Sequence, residues 1–372
     1  MNKIKKVHLV YPVGNKISTP DAIGRHLKNT IEKHYQVKTY NYDEYKVIPP
    51  GSADVLIGHW HPNPFTVFRL SALKKGWKRI IALAPFCPDQ TAWQNAFANK
   101  IIEKCDRYLA ITGNSWMDCL KNSPFWHWEP KIVHVDLAVN RADFPLIKEN
   151  FNPVKKRRFL YIGHTAWYKN ISLLERLALK LPETEFAWMG GNQFLKNIKT
   201  LGKYDFSSQE AKNIIQEYDF LITVGSADAN PTTILEAMAW GLIPVCSVES
   251  GYKGFSSIRN ISIDCIEKSV TTIKFLQSVP EEQLKKWQQE NLTELDKHFN
   301  WERFCDQVLS EIENEDSPNL DETNLKQRLF LSFAEFRSPI YWGRPDNFYR
   351  FLKDNFKYTS QNKVQKIEKI RQ

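Results

Sequence analysis

The sequence predicts an α/β protein built as two Rossmann-like domains facing each other across a cleft. Three observations carry this expectation. Apolar runs of strand length alternate with helical periodicities through the first half of the chain, the alternation stops at a polar, proline-containing stretch over residues 140–156, and it resumes over residues 158–265. At 372 residues the chain is long enough for two units, each with a core of its own.

Taken in order, Lys6 to Tyr11 reads as the first strand. Thr19 to His34 follows as a helix, opened by Pro20, which needs no N–H donor there, and by Asp21, which the helix dipole favours. Asp54–Gly58, Arg79–Ala84, Arg107–Thr112 and Lys131–Val135 are strand-like, with helical stretches near Thr91–Lys104 and Ser115–Leu120. After the linker, Arg158–Gly163 is a short strand ending in glycine, and a helix follows through Leu173, Leu174 and Leu177. Asp219–Val224 reads as a buried strand, and Glu281–Glu315 is strongly helical. Beyond it, Leu325, Leu329, Phe333 and Phe336 recur on one helical face, which predicts a crossover helix packed on the N-terminal domain. A basic, aromatic helix touching anionic lipid is the alternative there, and Lys357–Gln372 reads as a solvated tail. The expected division is therefore 1–150 for a first Rossmann-like domain, 151–310 for a second and 311–372 for the crossover helices and basic tail.

A net charge of +9 suits an acidic nucleotide ligand, an anionic membrane or nucleic acid without choosing among them. No recognised nucleic-acid motif occurs and the positive charge is dispersed, which argues against that partner. The six cysteines Cys87, Cys105, Cys119, Cys246, Cys265 and Cys305 form no Cys-x-x-Cys pair, as expected of reduced thiols in a cytosolic protein. No apolar run approaches a secretory signal or a bilayer span, so the expected location is cytoplasmic, with a peripheral membrane contact at most.

The most informative segment runs from Ser226 to Pro244. It follows the Asp219–Val224 strand, places Asp228 eight positions before Glu236, and has Glu236 opening the apolar helical run Ala237-Met-Ala-Trp240, which stops at Gly241. A loop between a parallel strand and a helix N-terminus suits a diphosphate, because free N–H groups and the helix dipole point at it together. Two carboxylates would repel that anion unless they accept hydrogen bonds from sugar hydroxyls on either side of it, which describes a sugar nucleotide. The plainer alternative makes Glu236 a first-turn acid and Asp228 an ordinary loop residue.

This segment resembles the acidic donor-binding motif of the GT-B retaining glycosyltransferases of family 4, in which two glutamates separated by seven residues precede Ala-Met-Ala, a variable residue, Gly and Pro-Val. The resemblance implies that Asp228 meets the transferred hexose and Glu236 the ribose, with Thr232 and Thr233 in the same donor site. Asp228 stands where the family has Glu, and Asn230-Pro231 where Phe-Gly is frequent. Upstream, Gly163-His164-Thr-Ala-Trp-Tyr-Lys169-Asn170 resembles the family's Gly-Arg with a lysine five residues on, His164 and Asn170 replacing the usual Arg and Gly. By that likeness Lys169 binds and stabilises the departing diphosphate, His164 lies near the phosphate, and Gly14 is the small residue through which the phosphates are approached. Val135 to Phe144 resembles the approach to the interdomain hinge, and Phe299-Asn-Trp-Glu-Arg303 the segment after which the chain crosses back.

The N-terminal domain is expected to supply the acceptor site and catalytic groups, His59 and His61 in Gly58-His-Trp-His-Pro62 being the candidates. His-x-His is also a potential metal pair, but no third ligand lies near in sequence and no Asp-x-Asp occurs, so neither metal nor cofactor is expected. The resemblance implies transfer from a nucleoside diphosphate sugar to an acceptor hydroxyl on a glycan, a lipid-linked molecule or a protein, with retention of configuration and no protein nucleophile. A sugar-nucleotide epimerase of the same fold, or a non-catalytic nucleotide-sugar or nucleic-acid binding protein, are the alternatives.

Overall fold

The computed structural model describes residues 6–14, 18–61, 66–88, 99–123, 125–323, 325, 328 and 329. The first unit runs β1 (Lys6–Val10), α1 (Thr19–Ile31), β2 (Gln36–Tyr40), β3 (Asp54–Gly58), α2 (Val67–Ala72), β4 (Arg79–Pro85), α3 (Asn99–Lys104), β5 (Arg107–Ile111), α4 (Asn114–Leu120) and β6 (Ile132–Val135). The second runs β7 (Phe159–Ile162), α5 (Ile171–Lys180), β8 (Phe186–Met189), β9 (Lys199–Gly202), α6 (Gln209–Ile215), β10 (Phe220–Thr223), α7 (Thr232–Trp240), β11 (Ile243–Ser247), β12 (Arg259–Ile261) and α8 (Ile266–Ser278). Helices α9 (Glu281–His298) and α10 (Trp301–Glu313) complete the described chain. The strands form two six-stranded parallel sheets, ordered β2-β1-β3-β4-β5-β6 and β12-β11-β10-β7-β8-β9. Each is the doubly wound arrangement that the alternation predicts.

The expected strands lie within a residue of the observed ones because most are buried along nearly their whole length. Edge strand β2, Gln-Val-Lys-Thr-Tyr, was not anticipated, since its exposed residues alternate with half-buried ones and no apolar run marks it. Helix α1 ends at Ile31 rather than His34, where the chain turns and the N–H groups of His34 and Tyr35 both reach the Ile31 carbonyl. The expected helix over 91–104 is described only as α3, and its earlier part lies outside the described residues. The stretch 281–315 is two helices, split where Asn300 caps α10 by accepting from the Arg303 N–H at 2.9 Å.

The polar linker carries no helix or strand, yet it is anchored. Lys148, 2 % exposed, donates to the Asp219 carboxylate at 3.1 Å and to the Gln216 carbonyl at 2.9 Å. Leu137, Val139 and Phe144 join an apolar cluster that continues from the first sheet into the second, while separate clusters cover the outer face of each sheet. Helix α10 returns to the first unit, where Trp301 stacks on His26 at 4.4 Å and Arg79 donates to the Glu311 carbonyl at 2.8 Å. Helix α10 thus packs on the N-terminal unit. Leu325 and Leu329, expected to do so, are exposed, and Phe333, Phe336 and the stretch 357–372 lie outside the described residues.

Candidate functional site

The C-terminal ends of the two sheets face each other across a cleft of about 580 Å³. Its first wall is Tyr11, Tyr42, His59, His61 and Phe86, and its second is Tyr168 with Ala227 to Thr232. Loops at the carboxyl ends of parallel strands are where such sheets hold ligands, since the adjoining helix N-termini point there.

The second wall is built by two loops that hold each other. The Tyr168 carbonyl accepts the Ser226 N–H at 2.8 Å, drawing the turn Trp167–Lys169 against the loop after β10. That contact brings together residues 59 positions apart in sequence, so that the Lys169 ammonium is paired with the Asp228 carboxylate, both largely buried. Asn170 takes the left-handed conformation at φ 53°, which ends the turn and starts α5. His164 lies on the exposed side of this loop. Its Nδ1 accepts the Ala166 N–H at 3.2 Å, which leaves the ring proton on Nε2, 3.2 Å from the Tyr168 hydroxyl. Burial, with Lys169 adding to it, holds His164 below the usual histidine pKa.

Glu236 does not open its helix. Pro231, at φ −65°, caps α7, whose first turn begins at Thr232 and Thr233 and contains no acid, so the first-turn reading of Glu236 fails. β-Branched residues such as these threonines are poor helix formers, which obscures the start of α7 in the sequence. Glu236 lies one turn in, beside Thr232, where burial pushes its carboxyl up to about 7 and the Thr232 hydroxyl bond opposes that rise. The Thr232 hydroxyl also shares a hydrogen bond with the Thr19 hydroxyl of the opposite unit at 3.1 Å. Gly241, left-handed at φ 91°, ends the helix as expected.

On the first wall, His59 Nδ1 accepts the His61 N–H at 2.9 Å, fixing the proton on Nε2. Burial first, and His61 second, depress His59 to about 3, so at neutral pH it is a neutral hydrogen-bond donor. Tyr42 stacks on His61 at 5.6 Å. Gly14 faces a neighbouring pocket rather than the cleft, and its N–H is already donated to Asp21 Oδ1 at 2.8 Å. The Asp21 carboxylate fills the space a side chain would need: a Cβ at Gly14 would lie 2.4 Å from it. Among the described residues no cluster of three or more His, Cys, Asp or Glu side chains comes together. None of the described helices is long and apolar enough to cross a membrane.

Tyr42, Thr19 and Tyr168 also line the cleft and are not among the candidates that the sequence singles out. Tyr168 had a usable signal in the turn after buried strand β7, and Thr19 in opening the helix that follows β1. Tyr42, after the unanticipated edge strand, had none.

The chain has the GT-B fold, two parallel Rossmann-like units with the candidate site between them, and solved structures similar to it include glycosyltransferases. Sucrose-phosphate synthase from Thermosynechococcus elongatus is similar with a TM-score of 0.61 at 11% identity, over 83% of this chain and 98% of that one. The Anabaena HepE protein, solved with UDP and glucose, is similar with a TM-score of 0.57 at 9% identity, over 84% and 100%. A glycosyltransferase from Rickettsia africae has a TM-score of 0.55 at 12% identity, over 85% and 99%. No protein-family model and no curated protein matches the sequence.

Proposed function

We propose that this protein is a glycosyltransferase that moves a sugar from a nucleoside diphosphate sugar to an acceptor hydroxyl with retention of configuration, in glycan, polysaccharide or glycolipid synthesis. Residues 151–310 hold the donor and residues 1–150 the acceptor, in the cytoplasm. The observation that best supports this is the Lys169–Asp228 pair, held at the carboxyl edge of the second sheet opposite His59 and His61.

In this reading the diphosphate lies at the N-termini of α5 and α7, where backbone N–H groups are free to meet it. Glu236 accepts from the ribose hydroxyls and Asp228 from the transferred sugar. An ammonium has three donors, so Lys169 serves Asp228 and a phosphate oxygen together. As the bond from the anomeric carbon to the diphosphate breaks, negative charge grows on the leaving oxygen and Lys169 is already in place to meet it. The acceptor oxygen enters on the same face, and its proton passes to the departing phosphate. His59 presents its Nε2–H to substrate without titrating, and no protein nucleophile is needed.

UDP-glucose heads the donors to test, because the similar Anabaena protein was solved with UDP and glucose. The test is transfer or hydrolysis of radiolabelled sugar from a panel of nucleoside diphosphate sugars. Transfer to an added acceptor is the expected result. An epimerised donor would support the epimerase instead, tight binding without turnover the non-catalytic protein, and no binding of any donor would remove the proposal.

A further inference from the structure

The main chain that carries Asp228 is held from both sides of the cleft. Within its own unit, the Asp228 N–H donates to the Glu249 carbonyl at 3.0 Å. From the opposite unit, the Trp116 indole N–H donates to the Asp228 carbonyl at 3.2 Å and the Gly113 N–H donates to the Ala229 carbonyl at 2.9 Å. Both donors stand at the start of α4, where Ser115 also donates to the Val248 carbonyl at 3.0 Å and Asn114 to the Lys253 carbonyl at 2.8 Å. The approach depends on glycine: a Cβ on Gly113 would lie 1.9 Å from the Gly251 carbonyl oxygen. Trp116 itself is 5 % exposed.

We propose that Trp116 and Gly113 are positioning residues for sugar transfer, fixing the Asp228 main chain from the acceptor-side unit so that the donor site is complete only when the two units are closed on each other. The proposal rests on the reading that Asp228 holds the transferred sugar. Its physical content is that a carboxylate aimed at a sugar hydroxyl is only as well placed as its backbone, and here two of the backbone's bonds come from the other domain. Donor binding through Glu236 and the helix N-termini needs no such closure, whereas the reacting geometry does. A donor held by the second unit alone is therefore bound but not aligned, and its loss to water is restrained.

Trp116→Phe removes the N–H donor and leaves a smaller aromatic ring in its place. In the full chain, with the donor that the panel selects, kcat should fall about three- to tenfold, the size of one neutral hydrogen bond. Affinity for UDP should stay at the wild-type value. Because Trp116 acts through Asp228, adding Trp116→Phe to Asp228→Asn should cost nothing further. Wild-type kcat in Trp116→Phe, or a fully additive double variant, overturns the proposal. Gly113→Ala tests it by another route: the added methyl should hold the units apart, raise the radius of gyration in small-angle scattering and lower kcat more than Trp116→Phe does, with UDP still bound. An unchanged radius in Gly113→Ala overturns the latch whatever the activity. A wild-type protein that turns over no donor would instead retire the glycosyltransferase reading.

Discussion

Glu236 should make donor binding depend on pH in the neutral range. Its carboxyl is raised from the ordinary 4.5 to about 7 by burial, which costs the ionised form about 3 kcal/mol. Ribose hydroxyls donate to the ionised carboxylate best, so binding should strengthen as Glu236 deprotonates. Between pH 8 and pH 6 the ionised fraction falls roughly tenfold, and the affinity for UDP-glucose should fall by about the same factor. Calorimetric titration is the assay, since the phosphates of UDP-glucose do not titrate in this range. Glu236→Gln should bind more weakly at pH 8, by about 1.5 to 3 kcal/mol, and its affinity should be flat with pH. Stability runs the opposite way. A carboxyl with a raised folded-state pKa supports the fold below the unfolded value near 4.5 and loses that support as pH rises through about 7. Glu236→Gln should therefore melt as wild type does at pH 4 and be more stable by up to about 3 kcal/mol at pH 8. A pH-independent affinity in the wild type, or the same slope in Glu236→Gln, would refute the reasoning.

Lys169→Met should lower kcat by about a hundred- to a thousandfold while raising the donor KM little, because an interaction strongest in the transition state appears in turnover. Steady-state kinetics on a folded variant decide this, and wild-type turnover would make Lys169 a structural partner of Asp228 only. Transfer should persist in EDTA, since Lys169 supplies the positive charge that a divalent ion would bring. Activity abolished by EDTA and restored by magnesium or manganese would contradict that mechanism. Lys148→Ala should destabilise the protein by about 3 to 5 kcal/mol in denaturant unfolding, because it leaves the fully buried Asp219 carboxylate without its ammonium. A loss below about 1 kcal/mol would mean that the N–H bonds to Asp219 from Asn152 and Arg158 suffice by themselves.

Much of the architecture was legible in the chain because it rests on local rules. Phe220 to Thr223 and Asp54 to Gly58 are strands of parallel sheets whose buried stretches 220–222 and 55–57 appear as apolar runs. Gly241 ends α7 because it reaches a left-handed conformation without steric cost. Where the local signal was weak the reading slipped: edge strand β2 has no apolar run, and the Thr-Thr opening of α7 hid the true start of the helix, which placed Glu236 a turn too early. Leu325 and Leu329 have helical spacing but are exposed, while α10 packs on the first unit.

The candidate site divides along the same line. Asp228, Glu236, Lys169 and His59 each lie after a strand or in the helix that follows it, and that placement, with the resemblance to the family's donor motif for the first three, makes them candidates. That Lys169 is paired with Asp228 was decided only by the packing of two loops distant in sequence. That His59 is held neutral follows from its burial against a neighbour's N–H, and that the Gly14 N–H is already used follows from the Asp21 carboxylate folding back onto it. Trp116 had no sequence signal at all, because its role depends on the opposite domain bringing the Asp228 carbonyl within 3.2 Å of its indole. Spacing along the chain determines which residues share a loop or a helix face; which charges, donors and acceptors meet is settled only when two domains close on each other.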